Sequence, residues 1–149
     1  MYLSIVPGAR TGYAVGTSEA ALHGEYCPPP QTGAAYWIRC EAVARWLDRV
    51  APAPAAVTAV ALGPCLDDAA AALVAEVVEE WCDENGVPLV RGCFEAADGE
   101  AVAPGDAALR GLHRAQERAA TAAAAFHPAA LLAVASAVQG AARRPGVGA

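Results

Sequence analysis

Short apolar segments separated by turn residues fill the first 26 positions and limit how this chain can begin to fold. Residues 2–6 form an apolar run that ends at a Pro-Gly pair, and residues 11–17 and 20–26 follow as two further short strands. The connections are too short for the crossover that parallel neighbours require. We therefore predict three consecutive antiparallel strands, ended by the three prolines at 28–30.

The spacing of the apolar residues changes after these strands. Between residues 36 and 50 apolar side chains recur every three or four positions, which predicts a helix. An apolar strand is predicted over 57–62. A helix follows, with Asp67 and Asp68 at its N-terminus and an Asn-Gly pair at its C-terminus. A further strand is predicted over 87–94. A strand, a helix and a strand form a βαβ unit, so these two strands should be parallel.

The C-terminal third is predicted to be helical. Residues 95–105 read as a polar loop, 106–125 as one helix and 128–142 as a last helix. Three antiparallel strands followed by two parallel strands, with helices between and after them, make an α/β layered fold. We expect a single domain over 1–142 and a flexible tail over 143–149.

The charge of the chain argues against general nucleic-acid binding. The net charge is -6, whereas binding to phosphates requires a cationic surface. Residues 1–100 hold 14 acids and 5 arginines, and residues 101–149 hold 2 acids and 5 arginines. Only the C-terminal part is therefore basic enough to suggest a polyanionic partner.

The remaining compositional features favour a cytoplasmic protein. Five dispersed cysteines without CxxC spacing are typical of free thiols in a reducing compartment. The first residues lack the pattern of a signal peptide. The alanine-rich stretch 119–142 is interrupted by His127 and Pro128, so we expect a pair of helices and no membrane span.

One segment resembles a known family. Residues 4–15 read Ser-Ile-Val-Pro-Gly-Ala-Arg-Thr-Gly-Tyr-Ala-Val. They resemble the first motif of RuvC-like crossover-junction (Holliday junction) endonucleases, in which a strand ends in Asp-Pro-Gly and a loop leads to Thr-Gly and an aromatic residue. Val6 stands where that family has its aspartate. The predicted order of elements is also that of the ribonuclease H-like fold to which these nucleases belong, a five-stranded mixed sheet flanked by helices.

Two further family positions lack carboxylates in this alignment. The family has a glutamate at the end of its fourth strand, often before Gly-Pro, and Leu62 occupies that place ahead of the Gly-Pro pair at 63–64. The family also has two acids on its last helix, ahead of an alanine-rich run. The matching positions are His127 and Ala130.

The resemblance implies a nuclease site that has lost its metal. The family holds two divalent cations, usually magnesium, which take oxygen ligands and stabilise the attacking and leaving oxygens of a phosphodiester. We expect Val6 and Leu62 to lie together in its place as an apolar pair, with no catalytic residue, no bound metal and no cofactor. Magnesium or manganese would be required only if Asp67 or Asp68, which we interpret as helix caps, had become relocated ligands.

Arginines supply the candidate nucleic-acid contacts. Arg110, Arg114 and Arg118 recur every four residues and should form one stripe on the 106–125 helix. Together with Arg39 they are the candidates for holding DNA, although an ordinary solvated helix face, balanced by the acidic residues of the 76–84 helix or by a partner's acids, is the favoured interpretation of the stripe.

Three functions follow from these observations. The first is a catalytically inactive RuvC-like protein that serves as an interaction or assembly module in recombination, repair or a mobile element, as a homodimer or with a protein partner. The second is a protein that binds branched DNA, such as a Holliday junction, without cleaving it. The third is a metal-dependent junction endonuclease with relocated ligands.

Overall fold

The computed structural model describes residues 1–17, 19–65, 68–91, 93–94 and 102–125. The chain begins with strands β1 (Tyr2–Val6), β2 (Thr11–Gly16) and β3 (Ala21–Tyr26), followed by helix α1 (Tyr36–Val50). A short 3₁₀ turn, Pro54–Ala56, leads to β4 (Ala59–Leu62), α2 (Ala69–Asn85), β5 (Leu89–Val90) and α3 (Pro104–Ala125). The predicted helix 128–142 and tail 143–149 lie outside the described residues.

The described strands form one mixed sheet in the order β3-β2-β1-β4-β5. The first three strands are antiparallel, and β4 and β5 run parallel to β1. Both parts of the predicted topology are therefore confirmed. β1 lies at the centre of the sheet, between the antiparallel and the parallel strands.

Helices cover both faces of this sheet. Side chains from α1 and α2 form the larger core with one face of β1 and β4, including Leu3, Ile5, Val60 and Leu62. Trp46 of α1 closes this core at the antiparallel end: its ring stacks on that of Tyr26, with centroids 4.4 Å apart, and meets Tyr13 edge-on at 5.6 Å. Helix α3 lies on the opposite face, against β1, β2 and β3.

The ends of α2 follow the local sequence. Asp68 is the N-cap, and its Oδ1 accepts a hydrogen bond from the Ala70 amide at 2.9 Å, which confirms its predicted capping role. Gly86 ends the helix in the left-handed region, with φ of 65°. Asp67 lies outside the described residues.

The fifth strand is shorter than predicted. The sequence predicts a strand over residues 87–94, but among the residues that the structure describes in this range, all except Gly92, only Leu89 and Val90 pair with β4. The amide of Val87 is used by the α2 C-cap, where it donates to the Cys82 carbonyl at 2.9 Å, and Pro88 has no N–H to donate. The strand can therefore begin only after these two residues.

The prediction of free thiols can be compared with the described chain, whereas most of the alanine-rich stretch 119–142 lies outside it. All five cysteines are free thiols. Within the described ranges, no helix is long and apolar enough to cross a membrane.

Candidate functional site

The β1–β2 connection is held by the residues that follow Val6 in the motif. The Thr11 hydroxyl donates to the Gly8 carbonyl at 2.8 Å and accepts from the Gly8 amide at 3.3 Å. Thr11 is completely buried, so these bonds are made away from water. The Ala9 amide donates to Asp68 Oδ2 at 3.2 Å, which joins the loop to the start of α2. The threonine of the motif thus has a structural role.

Gly12, the next residue of the motif, lies against the start of α3. A β-carbon at Gly12 would stand 1.8 Å from the Pro104 carbonyl oxygen, far inside the distance that any side chain can tolerate. Gly105 meets Gly24 of β3 in the same way, since its β-carbon would lie 2.9 Å from the Gly24 carbonyl oxygen. Glycine on both sides lets the helix backbone reach the sheet.

Val6 and Leu62 do not form the expected apolar pair. Ile5 is the residue that pairs with Leu62 across β1 and β4, and both belong to the core beneath α1 and α2. Val6 is half-buried and packs on the opposite face, with the α3 cluster of Ala14, Ala108 and Leu112. Successive side chains of a strand point to opposite faces. Because Leu62 pairs with Ile5 and not with Val6, the side chains of Val6 and Leu62 lie on opposite faces of the sheet.

Among the described residues, the fourth-strand neighbours of Val6 offer no side-chain oxygen. The register places Ala61 beside Ser4, and the Gly63 amide donates to the Ile5 carbonyl at 2.8 Å, which continues the pairing by one residue. A β-carbon at Gly63 would lie 3.4 Å from the Val6 α-carbon. The fourth-strand position that faces Val6 is therefore at Gly63, and Leu62 is a core residue.

Ser4 supplies the one buried hydroxyl described on this face of β1. Its Oγ has no hydrogen-bond partner, and a β-carbon at Gly111 of α3 would lie 2.9 Å from it. The hydroxyl is therefore confined between the strand and the helix. A lone hydroxyl in this position cannot replace a set of carboxylates as a cation site.

The helix that packs on β1 is α3, and it carries an acid in its first turn. His127 and Ala130, the predicted family positions, lie outside the described residues. Asp106 of α3 is mostly exposed and approaches His23 of β3, with Oδ1 and Nε2 3.5 Å apart. Because β3 is two strands from β1, Asp106 stands on the order of 10 Å from the Val6 strand. Asp106 is not among the site residues predicted from the sequence; the Pro-Gly-Asp sequence ahead of an apolar run is the signal that could have drawn attention to it.

The other acids near the β1–β2 loop already have partners. Glu25 accepts two bonds from the Arg10 guanidinium, at 2.6 and 2.9 Å. Asp68 accepts from two backbone amides, as described above. Over the described ranges, no group of three or more His, Cys, Asp or Glu side chains is placed to hold a metal ion.

The candidate arginines do not form one surface. Arg39 lies on α1, where its guanidinium is 5.4 Å from the centre of the Tyr36 ring, on the face of the sheet opposite α3. Arg114 donates to the Cys93 carbonyl at 2.8 Å, and Arg118 approaches the Cys93 sulfur at 3.7 Å. Arg110 is exposed on α3. The three arginines of α3 share a helix, but two of them bind the segment at Cys93.

Cys93 is buried beneath these arginines. Burial raises the pKa of its thiol, and the nearby charges of Arg118 and Arg114 only partly offset that effect. The thiol is therefore neutral. Cys93 contributes by packing beneath Arg114 and Arg118 and by accepting their hydrogen bonds.

Comparison with known proteins identifies the fold. No family model matches the chain, and no curated protein does. T. thermophilus RuvC, solved in complex with a Holliday junction substrate, matches with a TM-score of 0.52 and 15% identity, over 76% of this chain and 91% of RuvC. YeaZ from Pseudomonas aeruginosa matches with a TM-score of 0.43 and 19% identity, over 61% of this chain. The match spans 42% of the YeaZ chain.

The strand order and the likeness to RuvC show a ribonuclease H-like α/β fold, as predicted. At 15% identity the likeness extends to the fold alone.

Proposed function

We propose that this chain is a ribonuclease H-like module that does not cleave nucleic acid and acts by assembling with another protein chain. The observation that carries the proposal is the contrast within one motif. Thr11 and Gly12, which shape the loop and seat α3, are present and make their contacts, whereas the adjoining ligand position is Val6. The motif residues that stabilise the fold, Thr11 and Gly12, are present, whereas the metal-binding aspartate of the resembled family is replaced by Val6.

The surroundings of Val6 support this reading. Divalent cations such as magnesium need several oxygen ligands, and Val6, Ala61 and Gly63 supply none from their side chains. Replacing buried ion pairs by well-packed apolar side chains stabilises some proteins by about 1–4 kcal/mol, because the charges no longer have to be desolvated. Replacing clustered carboxylates removes the same desolvation cost and their mutual repulsion. Val6 packing on Ala108 and Leu112 fits a site that has become part of the core.

Incubation of the full chain with four-way junction DNA and magnesium or manganese tests this proposal. We expect no cleavage with either metal. Metal-dependent cleavage would instead favour the relocated-ligand nuclease, and it should then be lost in D67N, D68N or D106N. E19Q, which changes an exposed acid in the β2–β3 turn, is the matched control.

Binding of branched DNA without cleavage is the second candidate. It is favoured by the likeness to RuvC, which was solved with a junction, and by the exposed Arg110 on α3. The net charge of -6 and the placement of Arg39 on the other face weigh against a large DNA surface. Arg114 and Arg118 are also engaged by the Cys93 segment.

A binding measurement at two salt concentrations separates this candidate from the first. If the chain binds junctions, affinity should fall with salt, because phosphate contacts release counterions. It should also fall in the R110E/R118E variant and persist in R45E, since Arg45 is paired with Glu41 on α1. Absence of binding at low salt would leave protein assembly as the function.

The proposed function includes a cellular location and a partner. Five free thiols fit a reducing compartment, and we place the protein in the cytoplasm on that basis. The partner is a protein chain, and a homodimer is the form that we favour.

A further inference from the structure

Strand β3 is the last strand of the described sheet on its antiparallel side. It pairs with β2 and with no other described segment. The Thr17 amide donates to the Ala20 carbonyl at 2.9 Å, which makes these two residues a hydrogen-bonded pair. Such pairs alternate along an antiparallel ladder, so the backbone groups of Leu22, Gly24 and Tyr26 point towards β2. Those of Ala21, His23 and Glu25 point outwards.

This outer edge carries few of the features that prevent strand pairing. Natural edge strands are protected by charged side chains, above all lysine, by proline or by a bulge. The six residues of β3 include one acid, Glu25, but no lysine, arginine or proline, and their register with β2 is unbroken. Leu22 adds a large apolar side chain that is 75% exposed. Edge backbone groups that no described segment pairs are suited to an extended strand as their partner.

The side chains of β3 are complementary to a second copy of the same strand. Among symmetric antiparallel registers, pairing centred on Gly24 sets Leu22 opposite Tyr26 and His23 opposite Glu25, twice each by symmetry. Pairing centred on His23 or on Glu25 would instead place identical ionisable groups face to face. Pairing centred on Leu22 would engage only the first part of the strand. The register centred on Gly24 therefore combines apolar contact, a histidine–carboxylate pairing and length.

We propose that two copies of this chain associate through β3, antiparallel and centred on Gly24, so that their sheets join across a two-fold axis. This inference rests on the proposed assembly function and names its surface. Glycine at the axis suits a non-hydrogen-bonded pair, in which the α-carbons approach to about 4.5 Å. The His23–Asp106 and Glu25–Arg10 pairs flank this axis in each copy, so polar groups lie on both sides of it.

The mass of the full chain in solution, measured over a concentration series by sedimentation equilibrium, tests the surface. We expect a dimer whose mass falls by half in L22E and is retained in L22V. W37E is the control, because Trp37 is an equally exposed apolar residue, 67% accessible, on α1. L22E should remain folded, with the circular dichroism spectrum and cooperative unfolding of the parent, since Leu22 is 75% exposed and contributes little to the core. Its unfolding midpoint should lose the concentration dependence that a dimer gives to the parent. A monomer at every concentration, or a dimer unaffected by L22E, would overturn the proposal.

Cross-linking tests the register. In a C27S/C65S background, which removes the two exposed thiols, the H23C/E25C double variant should form covalent dimers on oxidation. The facing α-carbons of a hydrogen-bonded pair lie about 5.5 Å apart, within reach of a disulfide. The H23C single variant should give none. Covalent dimers of H23C alone would contradict the register. Junction cleavage would reject the inactive module while leaving this interface standing, so the two failures can be told apart.

Discussion

Gly12 of β2 and Pro104 of α3 are in backbone contact: a β-carbon at Gly12 would lie 1.8 Å from the Pro104 carbonyl oxygen. This contact joins the first motif of the chain to the start of the helix on the other side of the sheet. It explains in physical terms why a glycine follows Thr11. Four predictions test the structural roles assigned here.

Substitution G12A should destabilise the protein strongly. The added methyl group meets backbone atoms on α3, which cannot rotate away, so the helix must shift from the sheet. Overpacking of this kind costs about 1–3 kcal/mol or more in the free energy of unfolding. Urea denaturation measures it. G8A is the matched control: its β-carbon would lie 3.4 Å from its nearest neighbour and should cost less than about 0.5 kcal/mol.

Substitution T11V should loosen the β1–β2 loop. Valine keeps the shape of threonine but cannot bond to Gly8, which leaves buried backbone groups without a partner. We expect a loss of about 1–3 kcal/mol in unfolding free energy. T11S retains the hydroxyl and should remain closer to the parent. Equal stability of T11V and the parent would show that the hydrogen bonds of the Thr11 hydroxyl do not stabilise the loop.

The opposite orientations of Val6 and Leu62 predict unequal costs of truncation. Leu62 is 1% exposed within the main core, so L62A should cost about 2–5 kcal/mol. Val6 is half-buried and V6A removes fewer carbon atoms than L62A does, so V6A should cost clearly less. Thermal or urea unfolding of both variants gives the comparison. Similar costs would mean that the two side chains share one environment.

Alkaline pH should destabilise the protein through Cys82. Burial raises the pKa of this thiol from 9.0 to about 12. The folded protein therefore keeps a proton that the unfolded chain releases. The resulting stabilisation is complete below pH 9.0 and is lost as the pH rises towards about 12.

Unfolding midpoints measured across this range should fall less steeply in C82A than in the parent. Exposed Cys27 supplies the control, and C27A should keep the slope of the parent. Tyr36, whose pKa is raised chiefly by its hydrogen bond to Glu76, adds to the decline in every variant. A C82A slope equal to that of the parent would contradict the assigned role of the thiol.

Local patterns in the sequence determined most of the secondary structure. Turn residues and apolar periodicity act over a few positions, so they predict the first three strands, the helices α1 and α2 and the cap at Asp68, all of which the structure contains. The short connections also determined the antiparallel start of the sheet. The late start of β5, which the sequence did not predict, has a local cause as well: the Val87 amide bonds to the Cys82 carbonyl at the end of α2, and Pro88 lacks an N–H.

The arrangement of side chains about the candidate site was decided by tertiary structure. Which face Leu62 takes depends on the register of β4 against β1, and a shift of one residue moves a side chain from one core to the other. Arg39 is separated from the α3 arginines because α1 and α3 pack on opposite faces of the sheet. Such relationships join residues far apart in the chain, and no short stretch of sequence contains them.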